Sequence, residues 1–164
     1  MNNMQVTRAA FQLLGITGRT NNQNEMDPHK AIIGTMMQHY WSNNLANDFC
    51  HRLNPGVTYA VYTNYASDEH GEYTYFLGEV VGAFDNQKLD QFQTLTIAAS
   101  NYQLFTPQPD VMPGVIIHTW QAIWAMSELK DQRSYQADFE VYDQRAANPA
   151  SATADIYVGI AQKS

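Results

Sequence analysis

Three features of the 164-residue chain predict an α+β fold made of two similar halves. A helical run is followed by two runs of β character, the same order returns in the second part of the chain, and short strings echo between the two. Hydrophobic residues make up 45% of the chain, enough for a core without disulfide staples. The expectation is one domain, residues 1–164, with halves near 4–84 and 90–162. Each half is read as strand–helix–strand–strand with antiparallel pairing, and a ligand cleft between them.

The first strand is expected within Met4–Thr17, which ends in Leu13-Leu14-Gly15-Ile16, and the polar run Arg19–Asn24 reads as a loop. Asp27-Pro28 has the form of a helix start, a carboxylate at the cap and proline at the first helical position. Ile32, Ile33, Met36, Met37, Tyr40, Trp41 and Leu45 then recur at helical spacing, until Asn54-Pro55-Gly56 stops the pattern. Thr58–Tyr65 and Glu72–Val81 flank a turn containing Gly71 and predict a hairpin. The second half opens within Phe92–Thr106, where Leu95–Ala99 is the strand candidate. Prolines 107, 109 and 113 lead to a helix carrying Ile116, Ile117, Trp120, Ile123 and Trp124. Gln136–Asp143 and Ala154–Ala161 complete it as strands. Ala60-Val61-Tyr62 answers Glu140-Val141-Tyr142, and Phe76-Leu77-Gly78-Glu79 answers Tyr157-Val158-Gly159-Ile160.

Sixteen acids against nine bases give a net charge of −7, which argues against a polyanionic nucleic acid or an anionic bilayer as partner. The single cysteine rules out an internal disulfide and any thiolate metal cluster. The five histidines show no paired-ligand spacing, and no phosphate-cradling glycine loop or nucleophile elbow occurs. No metal and no cofactor are therefore expected. The start lacks a signal-peptide pattern and no apolar run reaches the roughly 20 residues of a membrane span, so the expected location is cytoplasmic. Ten tyrosines and three tryptophans supply rigid amphipathic rings suited to a ligand pocket.

Five strings in order carry a resemblance: Tyr59–Tyr65, Gly71–Val80, Leu95–Tyr102, Thr119–Trp124 and Asp138–Asp143. Together they resemble the GyrI-like family, the bacterial effector-binding domains of AraC-type activators. The likeness spans roughly Met4–Gln162 and is strongest to stand-alone members, including those carried on integron cassettes. It implies a cleft that takes up small organic molecules, often cationic and amphipathic, and the expectation here is binding without chemical change. No helix-turn-helix is expected beside the domain, so regulation would pass through a separate partner. The link Thr106–Asp110 is long for the family, and that wall of the cleft is expected to differ.

The family's cleft has a glutamate from its fifth strand at the base, which matches Glu140. The resemblance also places Met37, Tyr40, Trp120 and Tyr157 along the walls, and strand alternation sets Tyr142 beside the acid. From the residues alone, Glu140 faces away from Phe139 and Val141, toward either solvent, the commoner case, or a cleft. Glu79 follows Gly78, which suggests a close backbone approach that re-aims the acid into the cleft; a surface glutamate reads equally well. Trp120 and Trp124 share a helical face, and at least one of them reads as core. Two rival functions stand beside ligand binding. Some relatives resemble hydrolases of reactive electrophiles, with Glu140 as general acid or base, and a third reading is a protein-docking regulatory module.

Overall fold

The computed structural model describes residues 2–161. Its strands are β1 (Asn2–Arg8), β2 (Phe11–Thr20), β3 (Thr58–Thr63), β4 (Tyr73–Val81), β5 (Gln93–Ile97), β6 (Ser100–Thr106), β7 (Ala137–Tyr142) and β8 (Asp155–Ile160). Between them lie helices α1 (Asn22–Glu25), α2 (Ile33–Ser42), α3 (Gly114–Trp124) and α4 (Ser127–Lys130). All strand pairs are antiparallel, in one eight-stranded sheet of order β1-β6-β8-β7-β3-β4-β2-β5. This is the predicted α+β class, with two corrections to the element order.

Each half begins with two strands rather than one. Ala9-Ala10 divides the first expected strand and Ala98-Ala99 divides the run at 92–106. The strands so freed are exchanged. β1 pairs with β6 of the second half, Val6 opposite Tyr102, while β5 pairs with β2 of the first, Leu95 opposite Leu13. β3 and β7 meet at the centre with Ala60 opposite Glu140, so a pseudo-two-fold relation between the halves passes there. Tyr59 faces Gly78 and Phe139 faces Tyr157, which makes Gly78 the counterpart of Tyr157. The echo of Gly78 with Gly159 in sequence is therefore displaced by two residues.

The second correction concerns the first long helix. The Asp27 carboxylate accepts the His29 N–H at 2.9 Å and its carbonyl accepts those of Lys30 and Ala31, a single turn that does not run on into α2. α2 begins at Ile33, and the cap comes from Glu25, whose carboxylate accepts the N–H groups of Ile32 and Ile33, each at 3.0 Å. Those are donors that a helix start leaves without partners, so a carboxylate there is favourable.

Gly15 of β2 and Gly78 of β4 sit opposite each other. A Cβ on Gly78 would lie 2.0 Å from the Leu14 carbonyl oxygen, and one on Gly15 would lie 2.1 Å from that of Leu77. Only glycine permits this contact. The sheet is apolar on both faces. One face carries Leu14, Ala60, Leu77, Ile156 and Val158 and packs under α2 and α3. The other carries Leu13, Val61, Phe76, Tyr102 and Phe139, a cluster of strand residues. No helix among the described residues is long and apolar enough to cross a membrane.

Candidate functional site

α2 and α3 bridge the central strands of the sheet and leave a cavity of about 910 Å³ beneath them. Helical spacing turns Met37 and Trp41 of α2 toward it, and Ile116, Trp120 and Trp124 of α3. The floor comes from alternate residues of the two central strands, Thr58 and Tyr62 on β3, Glu140 and Tyr142 on β7. Met112 and Pro113 reach the cavity from the link after β6. That link is tied down: Thr153 Oγ1 donates to the Pro107 carbonyl at 2.6 Å, and Asp110 and Ala152 exchange backbone hydrogen bonds.

The aromatic residues repeat about the pseudo-two-fold. Tyr62 and Tyr142 each stand two residues beyond the Ala60–Glu140 pair. Trp41 and Trp120 are the matching helix residues, preceded by His39 and His118. Trp41 meets the Tyr142 ring edge-on with centroids 6.0 Å apart, and Trp120 meets Tyr62 in the same manner at 5.5 Å. The acid breaks the symmetry. Glu140 Oε2 accepts the Tyr62 hydroxyl and Trp120 Nε1–H, both at 2.7 Å, and Oε1 accepts the Tyr142 hydroxyl. On the other side alanine stands at the equivalent position, and Trp41 Nε1–H turns to Thr58 Oγ1 at 3.3 Å.

Glu140 is 1% exposed. Burial raises its pKa above the ordinary carboxylate range, against the opposing pull of the Tyr142, Trp120 and Tyr62 hydrogen bonds. The Tyr62 and Tyr142 hydroxyls are pushed well up, first by burial and then by the Glu140 charge. The other two buried acids each hold an arginine: Glu79 has Arg52 at 2.8 Å and Asp138 has Arg133 at 2.7 Å. Among the described residues no basic side chain pairs with Glu140. The buried carboxylate with only neutral donors is thus the one at the centre of the cavity floor.

Of the seven residues singled out from the sequence, Glu140, Tyr142, Trp120 and Met37 border the cavity. Three do not. Glu79 is buried, but Arg52 takes its carboxylate through Nε and Nη2, and the Gly56 N–H adds a third contact at 3.3 Å. Gly78 does mark a close backbone approach, yet the acid beside it stays with Arg52. Tyr157 lies on the opposite face of the sheet, stacked on Phe139 with centroids 4.6 Å apart and with the Arg8 guanidinium over its ring. Tyr40 is one residue off the Met37–Trp41 line and points into the core beside Phe49. Burial, more than the Glu79 charge, raises its hydroxyl pKa. Missed from the sequence were Tyr62 and Trp41; the echo of His39-Tyr40-Trp41 in His118-Thr119-Trp120 was the signal for the second. No group of three or more His, Cys, Asp or Glu that could hold a metal occurs among the described residues.

An antiparallel sheet of two exchanged halves, with an aromatic cavity over its centre, defines the class as an effector-binding domain of the GyrI-like fold. The chain belongs to the Cass2 family, the integron-associated effector binding proteins, whose profile matches residues 6–160. It is 28% identical over 146 residues, 89% of each chain, to YobU of Bacillus subtilis (strain 168), named provisionally as a transcriptional regulator. Its structure is similar to the integron cassette protein VCH_CASS2 from the mobile metagenome of Vibrio cholerae. That match has a TM-score of 0.75 and 24% identity, and covers 97% of this chain and 95% of the other. It is likewise similar to SAV2435 bound to tetraphenylphosphonium, with a TM-score of 0.77, 15% identity and coverage of 98% and 94%.

Proposed function

We propose that the cavity binds small, apolar organic cations reversibly and without chemical change. The observation that carries this reading is the contrast among the three buried acids. Glu79 and Asp138 have their arginines, whereas Glu140 has hydroxyl and indole donors alone and borders the cavity. A buried anion without a counter-charge is costly, and a ligand cation offsets that cost while leaving water. Four aromatic rings around the acid add attraction to the same charge, roughly 0.5–2 kcal/mol for each well-placed ring. Walls of methionine and isoleucine suit varied shapes, since thioether chains adapt to irregular apolar surfaces. The tetraphenylphosphonium held by SAV2435 is a ligand of this chemistry.

The test uses three phenyl compounds of similar bulk and different charge: tetraphenylphosphonium, triphenylphosphine oxide and tetraphenylborate. Titration calorimetry is expected to rank the cation first, at an affinity on the order of micromolar, and the anion last. Equal binding of cation and anion would overturn the reading. Recovery of unchanged cation by mass spectrometry separates binding from hydrolysis. Indifference to all three compounds would point to a docking module instead.

A further inference from the structure

A basic side chain borders the same cavity. Arg133, in the connection between α4 and β7, is among its lining residues, and its side chain is only 5% exposed. A guanidinium has five N–H donors. Asp138 takes one of these, at Nη2; Nε is enclosed with no hydrogen-bond partner among the described residues, and Nη1, which makes no hydrogen bond there either, keeps the accessible surface that a ligand in the cavity can reach. Asp138 itself is engaged at both oxygens: Oδ2 accepts from Arg133 and from the Tyr65 hydroxyl, and Oδ1 accepts the Gly159 N–H at 2.7 Å. The guanidinium carbon lies over the Tyr135 ring, 4.4 Å from its centroid. An arginine this deeply buried, with donors to spare, has lost hydration that the protein does not replace.

Asp138 and Glu140 are two residues apart on β7 and share the cavity face. The Arg133 group therefore lies about 7 Å along the strand from the Glu140 group. Asp138 already cancels the arginine charge, so the spare donors call for a neutral acceptor rather than an anion. We propose that Arg133 is a second recognition point in the cavity. It selects organic cations that carry a neutral oxygen acceptor, a carbonyl or an ether, about 7 Å from the cationic centre. This rests on the proposed function and narrows its ligand class.

The test compares (4-acetylphenyl)triphenylphosphonium with its isopropenyl counterpart, in which CH2 replaces the carbonyl oxygen at equal shape and charge. With the intact protein, calorimetry should give the acetyl compound about tenfold tighter binding, as expected for a hydrogen bond from a charged donor. In Arg133→Lys, which keeps a positive charge near Asp138 but loses the fork of donors, the two compounds should bind within twofold of each other. If that variant does not fold, the paired change Arg133→Gln with Asp138→Asn, which removes both buried charges, takes its place. A ratio under twofold in the intact protein overturns the inference, as does a tenfold ratio that survives in the variant. Tetraphenylphosphonium separates the two levels: if it does not bind, the proposed function falls as well, and if it binds while the ratio is flat, only the role of Arg133 falls.

Discussion

Replacing Glu140 by glutamine isolates the charge at the centre of the cavity. The amide oxygen can occupy the Oε2 position, where Tyr62 and Trp120 both donate, and the amide NH2 the Oε1 position. There it donates to the Tyr142 hydroxyl, which can turn from donor to acceptor. Shape and hydrogen bonding are retained, and one negative charge is lost. A cation seated against the rings that cover the carboxylate lies at ~6 Å from it. At an effective dielectric constant of about 20 that separation is worth ~2.8 kcal/mol, close to a hundredfold in affinity. Calorimetry with tetraphenylphosphonium should therefore show a loss of roughly 30- to 100-fold in Glu140→Gln, while triphenylphosphine oxide changes by less than threefold. A loss under threefold for the cation would refute the charge argument. An equal loss for the neutral compound would show that the substitution had damaged the cavity instead.

Acidity should act on the same charge. Burial holds the Glu140 pKa above that of an exposed glutamate, so the affinity for the cation should fall as the pH drops through that raised value, and Glu140→Gln should show a flat profile. Stability follows the opposite sign. A carboxyl whose folded pKa is raised stabilises the protein below its unfolded pKa and loses that contribution as the pH rises through the folded one, which denaturation of wild type against Glu140→Gln will reveal. Arg52→Met leaves Glu79 buried without its cation and should cost about 3 kcal/mol in urea unfolding, with tetraphenylphosphonium affinity unchanged. A loss below 1 kcal/mol would show that Glu79 finds water or another partner. Gly78→Ala sets a methyl group 2.0 Å from the Leu14 carbonyl oxygen and should cost about 3 kcal/mol or more, since backbone must move; a neutral effect would mean that β2 and β4 can separate freely.

Period-two alternation along β7 was enough to place Glu140 and Tyr142 on one face and Phe139 and Val141 on the other, and the structure keeps that division. Tyr157, which the family resemblance puts on a cleft wall, lies on the other face beside Phe139; the sheet is apolar on both faces, so alternation alone separates the faces without saying which one meets the cavity. Glu79 and Arg52 are 27 residues apart and meet only when the loop before β3 folds back, a pairing that local patterning does not contain. The exchange of β1 and β5 escaped for a related reason. Ala9-Ala10 and Ala98-Ala99 break their runs so gently that each reads as one irregular strand, although the breaks fall at matching points of the repeat. Tyr40 misled because a wide apolar stripe on α2 contains both core and cavity residues, and spacing alone does not divide them.

The exchanged strands also govern the order in which the chain can assemble. β1 leaves the ribosome well before its partner β6, which follows only after four more strands and two of the helices have been made. Its backbone donors and acceptors stay open throughout synthesis of the first half, and that half gains its own outer strand only when β5 emerges. The central seam between β3 and β7 closes later still, across nearly 80 residues. Neither half has its full set of strand partners until the other is made, non-local pairing of the kind that slows folding, and a nascent chain stalled before β6 exposes an unpaired edge to its neighbours.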